Sequence, residues 1–149
     1  MMQWRVVAGL ALTLVVATVQ AGPSPQGRWQ TIDDETGKAK SVVELQVSGE
    51  GQLSGRVVEL LNHSGQDNPL CEACEGERHA QPIKGMTILW GLRADEDGRW
   101  VGGQVLDPAK GEVYKAKVSL DEDGQQLHLR GFIGIEALGR TQTWRRLAP

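Results

Sequence analysis

From Arg28 onward apolar and polar residues alternate in runs of seven to ten, and the breaks between runs carry Asp, Gly, Glu and Lys. A period of two with turn punctuation predicts strands rather than helices. They fall near residues 28–33, 40–48, 52–61, 84–93, 99–106, 112–120, 125–133 and 140–147, eight in all. The connectors have turn chemistry: Asp34-Glu35-Thr36-Gly37, Ser48-Gly49-Glu50-Gly51, Asp95-Glu96-Asp97-Gly98, Asp107 to Gly111 and Asp121-Glu122-Asp123-Gly124. Each places Gly where a tight hairpin needs a positive φ. The segments 95–98 and 121–124 resemble a fragment of a calcium loop, but both lack the further spaced ligands and the distal Glu, so they read as turns.

No stretch after residue 22 sustains a 3.6-residue period long enough for a crossover helix. The sheet is therefore expected to be antiparallel. Eight sequential strands with short links resolve their edges by closing into an up-and-down barrel, with a sandwich as the competing arrangement. A membrane barrel is excluded because its outward band would have to carry Glu44, Gln46, Lys115 and Lys117.

The first 21 residues read differently. Arg5 makes a positive start, Val6 to Val19 is apolar apart from Thr13 and Thr18, and Val19-Gln20-Ala21 has the small residues of a cleavage site. This is the pattern of a secretory signal peptide, too short for a membrane span. The expected organisation is a leader over 1–21 and one domain over 22–149, delivered to the periplasm or beyond, where thiols meet an oxidising environment.

Charge removes one class of partner. The chain has 16 Lys and Arg against 19 Asp and Glu with no basic run, which leaves no footprint for nucleic acid. Neither a Gly-x-Ser-x-Gly nor a His-Glu-x-x-His is present, and neither a phosphate loop nor a dinucleotide fingerprint. Asp33, Asp34 and Glu59 lie near turns, where carboxylates are usually solvated. The expectation is a protein that is not an enzyme and takes no cofactor.

Two ends of the domain carry a resemblance. Gly27-Arg28-Trp29 opens the first strand after Pro23-Ser24-Pro25, and Trp144-Arg145-Arg146 closes the last. A Gly-x-Trp start with an Arg on the final strand resembles lipocalins and related calycin barrels, in which the Arg packs over the Trp and seals one end. Alternation does not separate Arg145 from Arg146, and Arg145 is taken as the partner of Trp29. A longer set runs through the chain: Gly27 to Thr31, Cys71-x-x-Cys74-x-Gly76-Glu77, Gly102-Gly103, Asp107-Pro108, Gly111-x-x-Tyr114, Arg130 to Gly134 and Gly139 to Trp144. Together these resemble a bacterial family known as a domain of unknown function, small exported proteins with a lipocalin-like barrel. The resemblance implies the fold and no reaction.

An eight-stranded barrel is either filled by side chains or holds one small ligand. Gly55, Gly85, Gly91, Gly102, Gly103 and Gly131 fall inside the predicted strands, where they either bend the sheet or leave interior volume unfilled. By alternation Met86, Ile88, Trp90 and Leu92 share one inward face, and Tyr114, Ala116, Val118 and Leu120 another. Trp90, Tyr114, Trp100, Phe132 and Met86 are thus the candidate ligand-binding residues, on the expectation of a small hydrophobic or amphipathic ligand.

Cys71 and Cys74 lie in the one long connector, about residues 62–82. A disulfide suits the compartment. A redox dithiol and a zinc site completed by His63 or His79 are the alternatives, and would make the protein a thiol or metal module with the barrel as scaffold. A packed barrel whose connector docks a partner protein is a further one. His128, on a strand, reads as a hydrogen-bonded surface ring.

Overall fold

The computed structural model describes residues 14–15, 22–61, 65 and 68–149. The leader expected over 1–21 lies outside the described residues apart from Leu14 and Val15, and so does His63. Eight strands follow in chain order: β1 Gly27–Ile32, β2 Ala39–Val47, β3 Gln52–Leu60, β4 Thr87–Ala94, β5 Trp100–Asp107, β6 Glu112–Leu120, β7 Gln126–Phe132 and β8 Arg140–Arg146. Each pairs with its neighbours in sequence, and β8 returns to β1 through Trp29 opposite Arg146 and Gln30 opposite Arg145, so the barrel is closed. Closure excludes the sandwich and leaves no sheet edge exposed. No described helix is long and apolar enough to cross a membrane.

Alternation sets the interior along most strands. Trp29 and Thr31, Val43 and Leu45, Leu53 and Val57, Ala116 and Val118, Leu127 and Leu129 are all buried, and Trp144 faces in from β8. Full burial of one such Leu or Val contributes about 1.5–3 kcal/mol. Glu44, Gln46, Lys115 and Lys117 occupy the alternate positions, on the outer face.

Alternation fails on β4. Leu53 pairs with Leu92 and Gly55 with Leu89, so two residues of β3 span three of β4. The extra residue is accommodated at Gly91, whose φ of 76° an L side chain adopts at a cost. Leu89 and Leu92 therefore face in, and Trp90 faces out opposite the exposed Gln104. The inward placement of Trp90 expected from strict alternation is corrected by this bulge. β5 carries a matching bulge between Trp100 and Gly103, with Gly102 at φ 80°.

The glycines also divide in a way that strand position alone does not reveal. A Cβ on Gly55 would sit 2.5 Å from Leu45 Cδ2, and one on Gly103 2.3 Å from the Trp90 carbonyl oxygen. Neighbouring groups already fill that space, so these two glycines tighten the barrel and leave no volume. Gly131 is the exception: a Cβ there would meet Tyr114 Cβ at 3.6 Å and Val105 Cγ1 at 3.7 Å, ordinary contact.

Candidate functional site

One end of the barrel is plugged. The segment before β1 crosses it, and the buried Trp29 ring donates from Nε1 to the Pro25 carbonyl at 2.8 Å. Arg146 lies over that ring, its guanidinium carbon 4.3 Å from the ring centre. Its Nε donates to the Gly124 carbonyl at 2.7 Å, Nη1 to that of Gln26 at 2.7 Å and Nη2 to that of Ser24 at 2.6 Å. The fork thus ties the β6–β7 turn to the incoming chain. Arg145, expected in this role, is exposed on the outer face, because the residue paired with inward Trp29 is Arg146.

The opposite end opens into a cavity of about 620 Å³, within the range of small-molecule sites. Its apolar wall comes from β3 to β7, including Val57, Ile88, Val105, Tyr114 and Leu129, while Gly131 contributes bare backbone. Across the barrel, β8, β1 and β2 supply Gln142, Trp144, Thr31 and Ser41. Thr31 and Ser41 are buried and paired across the strands, with Oγ1 and Oγ 2.7 Å apart. Thr31 Oγ1 also lies 3.4 Å from the Ser41 carbonyl, to which it donates. Gln142 Oε1 accepts from Trp144 Nε1 at 3.2 Å. These three neutral polar residues share the inward parity of Trp29, Val43 and Trp144.

The mouth is lined by Asp33, Asp34, Glu35 and Asp107 together with Lys40, Lys110 and Arg140. Arg140 Nη2 contacts Asp34 at 2.6 Å and Glu35 at 3.5 Å, and the Asp34 bond raises the Arg140 pKa further. Lys40 lies 3.8 Å from Asp33. The Asp33 carboxyl is held below its ordinary value mainly by the Thr36 and Glu35 amides, which donate to it. Tyr114 donates its hydroxyl to Glu112, and that bond, with some burial, pushes its pKa up to about 12.

Of the residues expected to bind a ligand, Tyr114 and Phe132 line this cavity. Phe132 does so from the rim, since it pairs with the exposed Lys115. Trp90 is elsewhere: its Nε1 donates to Gln104 Oε1 at 3.2 Å, and Arg78 lies 4.4 Å over its ring. Met86 precedes β4 and lines an outer groove with Arg78 and Gln81, not the cavity. Trp100 pairs with Val118 and packs partly buried against the core, away from the cavity lining. The bulge on β4 accounts for Trp90, whereas Trp100, paired with the buried Val118, lies outside the cavity because it begins β5, at the end of that strand away from Asp107 at the mouth.

Cys71 and Cys74 are joined in a disulfide and buried. His79 Nδ1 donates to the Cys74 carbonyl at 3.0 Å. Among the described residues no three His, Cys, Asp or Glu side chains converge on a metal position. The disulfide turn lies against the β5–β6 hairpin, where a Cβ on Gly111 would fall 1.8 Å from the Ala73 carbonyl oxygen. Only glycine permits that approach. The connector thereby delivers Pro69 and Ile83 to the cavity mouth. His128 sits on the outer face between Thr143 Oγ1 at 3.1 Å and Asp121 Oδ1 at 2.6 Å.

A family model described as "Uncharacterized protein conserved in bacteria (DUF2147)" matches residues 27–146. Among solved structures, the chain is similar to protein HP1028 from the human pathogen Helicobacter pylori, described as belonging to the lipocalin family. The two share 20% identity over 85% of this chain and 84% of that one, with a TM-score of 0.72. At that identity the likeness concerns the fold. No curated protein matches the chain.

Proposed function

The chain belongs to the DUF2147 family, and from that premise we propose that it is an exported binding protein that holds one small apolar or amphipathic molecule inside its barrel. One observation carries the reading: the interior is plugged at the Trp29–Arg146 end and opens at the other into a cavity of about 620 Å³ with one apolar wall. The rim is charged, while the interior wall is largely apolar, which favours transfer of a hydrocarbon body from water. Among the described residues, the apolar wall is built of side chains such as Val57, Ile88, Val105 and Leu129, which offer contact area to a hydrocarbon body. Binding is the function this set of side chains supports. The apolar pattern over residues 1–21, read as a leader, supports a function outside the cytoplasm.

The test is a fluorescence titration with Nile red, an uncharged dye that brightens in apolar surroundings. The wild-type chain should bind it saturably. Gly131→Leu, whose side chain grows into the cavity from a position with no backbone objection, should fold and lose that binding. Equal binding by both proteins would place the dye elsewhere and refute the reading.

A further inference from the structure

We infer that the β7–β8 connector is a docking lip for a lipid bilayer, which seats the cavity mouth against the membrane surface. Among the described residues of the domain, the three most exposed large apolar side chains are Ile133, Ile135 and Leu138, at 68%, 65% and 80%. Single exposed apolar residues are ordinary on any surface, but three within one short connector make a patch that asks for a partner. β6 adds Val113, which is exposed and stands two residues before Lys115, the partner of Phe132 at the end of β7.

The exposure is built into the fold. Arg130 reaches from β7 to the connector, donating from Nε and Nη2 to the Glu136 carbonyl at 3.1 and 2.8 Å and from Nη2 to that of Ala137 at 3.3 Å. Lys117 holds the Glu136 carboxylate at 2.7 Å. The short 3-10 turn Glu136–Leu138 is thus fastened through its backbone and its one charge, while Ile135 and Leu138 stay in water.

Two observations favour a bilayer over a protein. The patch is continuous with the cavity, because Ile133 and Leu138 also line it. An apolar molecule thereby has a path between membrane and barrel that avoids water, a consequence that rests on the cavity reading above. A stable protein interface takes about 20–30 residues a side, and the closed barrel offers no strand edge to extend a contact. A few side chains on one connector fall short of that and match shallow insertion at a lipid interface. Charge then sets the kind of bilayer. At the mouth Asp33, Asp34, Glu35 and Asp107, with Glu112 beside Tyr114, outnumber Lys40, Lys110 and Arg140 by two; on the flank of the lip Lys115, Lys117 and Arg130 outnumber Glu136 by two. The excesses cancel, so apolar insertion carries the association and the sign of the headgroups matters little.

Co-sedimentation with large unilamellar vesicles tests this, using phosphatidylcholine alone and phosphatidylcholine mixed with phosphatidylglycerol. The protein used is the chain from Gly22 onward, which contains the whole closed barrel and leaves out the apolar segment before it. It should bind both vesicles with affinities within about threefold, and about 0.5 M salt should leave that binding in place. Ile135→Glu, at a position outside the cavity lining, should weaken vesicle binding about tenfold, while the melting temperature and the Nile red affinity measured without vesicles stay unchanged. Ile135→Leu should bind like the wild type, and Leu138→Ser should weaken vesicle binding as a second variant. Failure to bind vesicles, binding to anionic vesicles alone that salt removes, or wild-type binding by Ile135→Glu overturns the inference. So does a dimer that ignores vesicles and dissociates in Ile135→Glu, which assigns the lip to a second copy of the chain. Loss of Nile red binding with vesicle binding intact removes the cavity reading and leaves the docking lip standing.

Discussion

Replacing Arg146 with Ala removes the clamp that closes the barrel. The guanidinium makes three hydrogen bonds to backbone carbonyls, at 2.7, 2.7 and 2.6 Å, and stacks on the fully buried Trp29. The stacking is worth about 0.5–2 kcal/mol. Bonds from a charged donor are worth about 1.5–3 kcal/mol each when buried, but Ser24 and Gln26 are exposed and their carbonyls recover water. Gly124 is buried and recovers less. A total of about 3 kcal/mol follows. For a domain of this size one kcal/mol moves the melting temperature by about 4 °C, so Arg146→Ala should lose about 12 °C. Arg145→Ala, one residue away on the outer face, should move it by no more than about 2 °C. Arg146→Lys keeps the charge but loses the planar fork and should recover only part of the loss. Thermal unfolding followed by circular dichroism reads all three. Equal losses for Arg145→Ala and Arg146→Ala would refute the assignment of the clamp.

Three further outcomes follow from the same geometry. The chain has a single Tyr, so tyrosinate absorbance reports Tyr114 alone: its midpoint should lie near 12 in the folded protein and near 10 in denaturant. Because the folded value is the raised one, this contribution to stability is complete below pH 10 and is lost as pH rises toward 12; Glu112→Gln should bring the folded midpoint down, and an unchanged midpoint would contradict the Glu112 bond. Reduction should add two hydrogens to the mass of the native chain, and replacing Cys71 and Cys74 together by Ser should cost about 2 kcal/mol, small because the closed loop is short; free thiols in the native chain would contradict the structure. Trp90→Ala should leave Nile red affinity within about twofold and cost about 2 kcal/mol, from its partly buried ring and its stack with Arg78, and a lost dye site would return Trp90 to the interior.

The fold was legible because most strands alternate and the hairpins carry their turn residues; the strand ends differ slightly, as where β4 begins at Thr87. What alternation could not show is where it breaks. A glycine in a strand can mark a bulge, a close approach or a gap, and Gly91, Gly55 and Gly131 are one of each. That ambiguity sent Trp90 to the wrong face. The choice between Arg145 and Arg146 failed for a related reason, since parity near a strand end depends on pairing with β1, which only the closed barrel supplies.

Tyr114 was legible as a cavity residue because Tyr114, Ala116 and Val118 keep one parity along β6. Thr31, Ser41 and Gln142 were missed although their parity matches Trp29, Val43 and Trp144. Aromatic residues mark a pocket in a sequence more visibly than small neutral polar residues at inward positions. Such residues are costly to bury unless something satisfies them, which is the signal that could have found them.

The account stands on the cavity accepting one molecule. Native mass spectrometry of the wild-type chain and of Gly131→Leu, each with Nile red in modest excess, tests this directly. A one-to-one complex with the wild-type chain and none with Gly131→Leu is the result expected from a single interior site. The absence of a complex with the wild-type chain, or a complex of the same abundance with Gly131→Leu, would contradict it.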